Sequence, residues 1–189
     1  MEVLGVINKM IKSKLINKLN LGCGENILLN YINVDRIKLN GVDKVLDLEV
    51  TPLPFKDNSM NKIFASHVLE HIHNFMPLIE EIHRIAKPNS LLKIVVPYYK
   101  YEGTFRDPTH RGFFTEHSFD YFKDGVKFSH YSKVRFKVLR VKKRIKHYSD
   151  VKNKLKRIIA AIPNFMRPIL DIFFWNMYTE IEFNLQVIK

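Results

Sequence analysis

Two glycines one residue apart, Gly22 and Gly24, follow the alternating apolar residues of Lys18-Leu19-Asn20-Leu21. This pattern places a buried strand directly before a turn whose backbone approaches a ligand closely, which suits a nucleotide-like cofactor. Asp35 closes the next apolar run, Tyr31-Ile32-Asn33-Val34-Asp35. Farther along, His67, Glu70 and His71 are sequence neighbours, and Asp107 and His110 share the turn Asp107-Pro108-Thr109-His110-Arg111-Gly112. Histidine is the side chain most easily held near neutral pKa, so His67 and His71 suit the orientation or deprotonation of a hydroxyl. Asp107 with His110 suits a second acid–base pair facing the same group.

Two familiar chemistries fit poorly. A dinucleotide fingerprint needs a third glycine where Ile27 stands, and its acid about 20 residues on, whereas Asp35 follows at much shorter range. The His67-Val68-Leu69-Glu70-His71 run has the H-x-x-E-H pattern of inverted zinc peptidases, in which histidines one helical turn apart share a metal. That chemistry needs a longer helix and a third ligand. Here the run directly follows a buried strand, and no metal is expected.

The elements that position these residues can be read in order. Val3, Val6, Ile7, Met10, Ile11 and Leu15 give residues 2–17 an amphipathic helix. Strands are expected at 18–22, 31–35, 44–48, 62–66 and 91–96, with only a short helical turn between Glu25 and Asn30. A helix over 75–86 carries Leu78, Ile79, Ile82 and Ile85 on one face, with Asn74 as its N-cap. Residues 97–122 form an aromatic, histidine-containing loop, the kind of segment that carries function. Residues 134–146 alternate as a basic strand that slips phase at Leu139 and Arg140, which predicts a bulge. Helices after Asp150 and over 169–178 and a final strand over 180–187 complete the chain.

At 189 residues the chain fits a single domain, 1–189. One cysteine excludes an internal disulfide, and Cys23, between the two glycines, is expected to be structural rather than reactive. No apolar run is long enough to span a bilayer and no export signal is visible, so a cytoplasmic protein is expected. The net charge of +12 falls within residues 127–157, which hold thirteen Lys or Arg and one acid, Asp150. Such a field concentrates an anionic partner: nucleic acid, a phospholipid surface or a phosphorylated substrate.

The segment from Leu19 to Asp35 resembles the first motif of class I S-adenosylmethionine-dependent methyltransferases. The run Leu53-Pro54-Phe55-Lys56-Asp57-Asn58-Ser59 and the run His67-Val68-Leu69-Glu70-His71-Ile72 recur in that family, in the same order. Asn61 stands where the family has Asp, and Asn89-Ser90 where it has two glycines. The resemblance is specific over residues 18–97, the cofactor-binding half, and architectural over 98–189. It implies an α/β, three-layer Rossmann-like fold with a seven-stranded sheet, mostly parallel with an antiparallel C-terminal strand. It also implies S-adenosylmethionine as cofactor, held by the Gly22-Cys23-Gly24 backbone, Asp35 on the ribose, Asp47 and Leu48 beside the adenine, and Ser66 at the end of the fourth strand. The acceptor side would draw on His71, His67, Asp107 and His110.

The activity expected is methyl transfer to a small-molecule, phosphorylated or lipid-linked acceptor, with oxygen the preferred atom and a peripheral contact with anionic membrane. The alternatives are a nucleic-acid-binding module, or an RNA methyltransferase, using the basic 127–157 region. Nucleic acid ranks lower because the N/D-P-P-Y motif of many base-methylating enzymes is absent from the sequence.

Overall fold

The computed structural model of the chain describes residues 17–127, 129–145, 161–163 and 165–189. The amphipathic helix expected over 2–17 and the helix expected after Asp150 lie outside the described residues. Seven strands form one sheet: β1 Lys18–Leu21, β2 Ile32–Asp35, β3 Lys44–Val45, β4 Met60–Ser66, β5 Ala86–Pro97, β6 Arg135–Arg144 and β7 Glu180–Ile188. Their spatial order is β3-β2-β1-β4-β5-β7-β6. β1 to β5 pair in parallel, and β7 runs antiparallel between β5 and β6. The α/β, mostly parallel sheet expected from the sequence is therefore present.

The central strands bury Leu19, Leu21, Val34, Ile63, Ala65, Leu92, Ile94 and Val96 almost completely. Such continuous apolar runs are what parallel strands covered on both faces require. Helix α1, Phe75–Ile85, buries Leu78, Ile79, Ile82 and Ile85 at the expected spacing. Its start is not capped by the Asn74 side chain. Instead the Glu49 carboxylate accepts the N–H groups of His73 at 2.7 Å and Asn74 at 2.9 Å, tying the helix to the chain after β3. Glu81, buried on the same helix, accepts from Leu53 N–H at 2.6 Å and from Arg84 Nε at 2.8 Å. Arg84 also donates to the carbonyls of Leu53 and Phe55 and pairs with Asp57. The Leu53–Asp57 run is thus fastened to the helix through one guanidinium.

Three local expectations change. No helical turn forms between Glu25 and Asn30. There, buried Asn20 and Asn33 bond each other at 2.8 Å and serve the backbone of Asn26 and Leu28, while Asn30 takes φ 62°. β3 covers only Lys44–Val45 because Asp47 turns the chain, its Oδ1 accepting Glu49 N–H at 3.0 Å. The last helix, α3 Arg167–Phe173, stops short of Tyr178 because Phe174 is extended and Asn176 adopts φ 62° while bonding Lys100 and Glu102. Another expectation holds: the register of β6 shifts between Val138 and Arg140. Asn89, where the resembling family has glycine, takes φ 63°, which asparagine tolerates.

The segment after β5 contains the short helix α2, Glu102–Arg106, and a 3-10 turn at Asp120–Phe122. A polar core seats it. Lys143 of β6 donates to Glu116 and to Asp171 of α3, each at 2.7 Å, and Tyr98 donates to Asp171 at 2.9 Å. The same ammonium lies over the rings of Tyr98 and Tyr178. Several cations of the basic strand are therefore spent inside the fold, with Arg135 on Asp124 and Arg144 on Glu182 as further cases. Exposed Lys137, Arg140 and Lys142 stand on an edge strand, where charge also discourages pairing with other chains. No described helix is long and apolar enough to cross a membrane.

Candidate active site

The chain leaves β1 toward β2 on one side, while β4 and β5 lie on the other, so the strand order reverses between β1 and β4. Open α/β sheets bind ligands outside the carboxyl ends of their strands at such a reversal. A cleft of about 740 Å³ opens at that place, lined by Gly22, Asp35, Arg36, Asp47, Leu48 and His71 among others. This volume is in the range of small-ligand and cofactor pockets.

Gly22 and Gly24 both have positive φ, 57° and 50°. Their surroundings differ. A Cβ on Gly22 would lie 2.3 Å from Cγ2 of Val68, whereas one on Gly24 would meet nothing within 4 Å. The close approach that needs Gly22 is thus made first by the chain's own Val68, at the mouth of β4. Gly22→Ala is expected to cost about 2–3 kcal/mol of stability, from left-handed strain plus overpacking, and Gly24→Ala about 1 kcal/mol, from strain alone. Urea unfolding of both variants checks this, and Val68→Ala should recover part of the Gly22→Ala loss only.

Asp35 ends β2 with both carboxylate oxygens in use. Oδ2 accepts Gly24 N–H at 2.7 Å and Oδ1 accepts Ile37 N–H at 3.0 Å. The carboxylate thereby ties the glycine turn to the strand beside it and retains lone pairs for further donors. Cys23 is buried, and its N–H bonds Val34 O at 2.9 Å. Burial, followed by the charge of Asp35, raises its thiol pKa. Asp47 and Leu48 line the cleft; Ser66 sits at the end of β4 and lines none of the described clefts.

A second cleft of about 660 Å³ adjoins the first and shares His71 and Pro108 with it. His67, Glu70, Tyr101, Arg106, Asp107 and His110 are on its walls. The loop after β5 therefore brings Asp107 and His110 onto His71, whose ring centroid lies 4.7 Å from that of His110. His71 Nδ1 is 2.8 Å from Thr109 Oγ1, and that hydroxyl donates to Asp107 Oδ1 at 2.7 Å. Thr109, through its hydroxyl and then its N–H, holds the Asp107 carboxyl below its ordinary range, so Asp107 is an ionised acceptor. With the Thr109 proton committed to Asp107, His71 Nδ1 must be the donor, and its Nε2 carries the lone pair. His110 Nδ1 donates to Thr104 O at 2.7 Å, and its Nε2 stands 3.9 Å from Asp107 Oδ2.

His67 is placed differently. At φ 53°, it reaches Glu180 at 3.1 Å and Glu70 at 3.3 Å, and these carboxylates, Glu180 first, push its pKa up to about 9. At neutral pH it is a cation with both ring nitrogens facing acids. The residues beside the clefts to which sequence reading gave no role are Arg36, Glu49, Val68 and Thr109. Val68 and Thr109 carried a signal, as parts of the His67–Ile72 run and the Asp107–Gly112 turn.

Residues 30–94 match the model of a family described as a methyltransferase domain. The YcgJ protein of Bacillus subtilis superposes with a TM-score of 0.56 at 15% identity, over 96% of this chain and 97% of that one. A SAM-dependent methyltransferase from Archaeoglobus fulgidus gives a TM-score of 0.50 at 15% identity, over 94% and 93%. The matched segment is thus similar to a methyltransferase domain, and the fold is one that S-adenosylmethionine-dependent methyltransferases share. Among curated proteins, an uncharacterized protein of Methanocaldococcus jannaschii is 29% identical over 108 residues, 50% of this chain and 47% of that protein. The chain thus aligns with about half the length of that relative. S-adenosylmethionine is the cofactor of the methyltransferases that share this fold, and the first cleft can be compared with what it needs. The residues fit it: open space over Gly24, and a carboxylate at the end of β2 with lone pairs to spare.

Proposed function

We propose that the protein transfers the methyl group of S-adenosylmethionine to a hydroxyl oxygen of a small or lipid-linked acceptor. One observation carries this reading: the two clefts meet at His71, where Asp107 and Thr109 fix the ring with Nε2 free. Methyl transfer is an in-line displacement at the sulfonium methyl, so holding donor and nucleophile in near-attack geometry supplies much of the rate. Asp35 accepts the ribose hydroxyls, Asp47 and Leu48 flank the adenine, and the backbone of the Gly22–Gly24 turn lies against the amino-acid end. The acceptor enters from the second cleft. A hydroxyl must lose a proton as the new C–O bond forms, and His71 Nε2 takes it while Asp107, through Thr109, stabilises the imidazolium. His110 Nε2 helps to orient the same hydroxyl.

Two features support a partly apolar acceptor. A third cleft of about 470 Å³, lined by Leu69, Phe75, Met76, Phe114 and Tyr121 among others, shares Arg111 with the first. On and after α3, Ile169, Ile172, Phe173, Phe174 and Trp175 are more than half exposed. Together with exposed Lys137, Arg140 and Lys142 of β6, such residues suit contact with an anionic membrane surface that presents the acceptor.

The test is incubation with methyl-tritiated S-adenosylmethionine and separated lipid, aqueous and RNA fractions of a cell extract. Label entering the lipid or small-molecule fraction as a methyl ether is expected. Label only in RNA would replace this reading with the nucleic-acid one. Asp35→Ala should weaken binding of S-adenosylhomocysteine by about 1–3 kcal/mol, the scale of lost charged hydrogen bonds. Asp35→Asn should be no milder, because its amide would face one of the two backbone N–H groups that the carboxylate accepts.

A further inference from the structure

Glu70, His71 and His110 each place one ligand atom within 4.8 Å of the others. Glu70 is fully buried, and neither carboxylate oxygen has a hydrogen-bond partner. The nearest cation, His67 Nδ1, stands 3.3 Å from Oε1 at ion-pair distance, which leaves Oε2 without a partner. A buried carboxylate left this way carries a desolvation cost that a cation would offset. The two imidazoles are prepared for the same task. Each donates Nδ1–H to a fixed oxygen, one to the Thr104 carbonyl and one to the Thr109 hydroxyl, and so presents Nε2 as a lone pair. Metal-ligating histidines are oriented by a hydrogen bond of this kind on the second nitrogen.

We infer that Glu70, His71 and His110 form a site for one divalent first-row cation, with zinc the fitting probe. The set is two histidines and one glutamate with an open side toward the second cleft, a donor combination that binds zinc while keeping a coordination position free. Ligand atoms around zinc stand about 3.3 Å apart at Zn–N and Zn–O distances near 2 Å, so the three side chains close by at most about 1.5 Å on binding. The His67-x-x-Glu70-His71 run does not share a metal between its two histidines. His67 is held by Glu180 and Glu70, and the second imidazole comes instead from His110, 39 residues beyond His71. The site deepens the proposed function and rests on it only for its role: a bound cation would lower the pKa of the acceptor hydroxyl, whose proton would then leave to solvent instead of to the His71 ring nitrogen.

Metal-free protein, without S-adenosylmethionine, is titrated with zinc chloride by calorimetry, and the visible spectrum of the cobalt(II) form is recorded. One equivalent is expected to bind. His110→Ala and Glu70→Gln should each weaken it at least about 100-fold and remove the cobalt band, a ligand being worth no less than the groups that orient it. His117→Ala, which changes an exposed histidine away from the site, should leave both readouts unchanged. Thermal melts confirm that each variant is folded, and His110→Gln replaces His110→Ala if the latter is not. S-adenosylhomocysteine binding is measured on the same samples, because His110 does not line the first cleft and its loss should leave that binding intact. Zinc binding that is absent, or unchanged in His110→Ala and Glu70→Gln, overturns the site while leaving the methyltransferase reading standing. Failure of S-adenosylhomocysteine to bind strikes that reading alone.

Discussion

His71→Ala is expected to lower the methyl-transfer rate by about 10²- to 10⁴-fold, the range for loss of a positioned acid–base group, with little change in donor affinity. The residue stands where the two clefts join, and its second nitrogen is held by Thr109. It therefore acts on the acceptor rather than on the cofactor, and the loss falls on kcat. Single-turnover assays with the labelled fraction measure it. Thr109→Val keeps the imidazole but removes its link to Asp107. That variant should lose less activity than His71→Ala, with donor affinity unchanged. Full activity in Thr109→Val would make Thr109 a packing residue only.

The second large effect is on stability. Lys143→Met should cost about 3–5 kcal/mol, the usual result of removing one partner from a buried charge network. Lys143 compensates Asp171 and Glu116, and the Asp171 side chain is only 5% exposed. Methionine keeps the aliphatic volume over Tyr98 and Tyr178, so the change isolates the charge. Because the network joins β6, α3 and the loop after β5, acceptor-side activity should fall along with the melting temperature. Adding Asp171→Asn should restore part of the stability, since the neutral amide no longer needs a cation and still accepts from Tyr98. Equal stability of Lys143→Met and wild type in urea unfolding would show that the network contributes nothing.

The fold was legible where periodicity and burial coincide. The parallel strands bury most of their apolar residues, α1 repeats its apolar residues at helical spacing, and the phase slip at Leu139 appears as a register shift between Val138 and Arg140. The replacement of the first helix by a loop was legible only as a shortage of residues. What supports that loop is side-chain hydrogen bonding by Asn20 and Asn33, residues that in sequence look like polar interruptions of strands. The same limit applies at the site. Glu49 reaches 24 residues forward to cap the start of α1 and Lys143 reaches 28 to Asp171, and pairings at that range depend on the topology. The basic stretch illustrates the opposite error, because charge counted along the chain overstates what is available to a partner. Lys143, Arg144 and Arg135 are bound to Asp171, Glu182 and Asp124 within the protein. The expectation of no metal rested partly on the want of a third ligand near His67 and His71; the fold brings His110 beside Glu70 and His71, a proximity that sequence spacing does not show.

The glycine turn, the strand-end carboxylate and the reversal of strand order all converge on the first cleft, which we propose holds the cofactor. Titration calorimetry of S-adenosylhomocysteine into wild type, Asp35→Ala and His71→Ala tests that convergence most directly. The result predicted is one site per chain in wild type, nearly unchanged affinity in His71→Ala, and affinity weakened by about 10- to 100-fold in a folded Asp35→Ala. No binding by wild type, or equal affinity for wild type and Asp35→Ala, would contradict it.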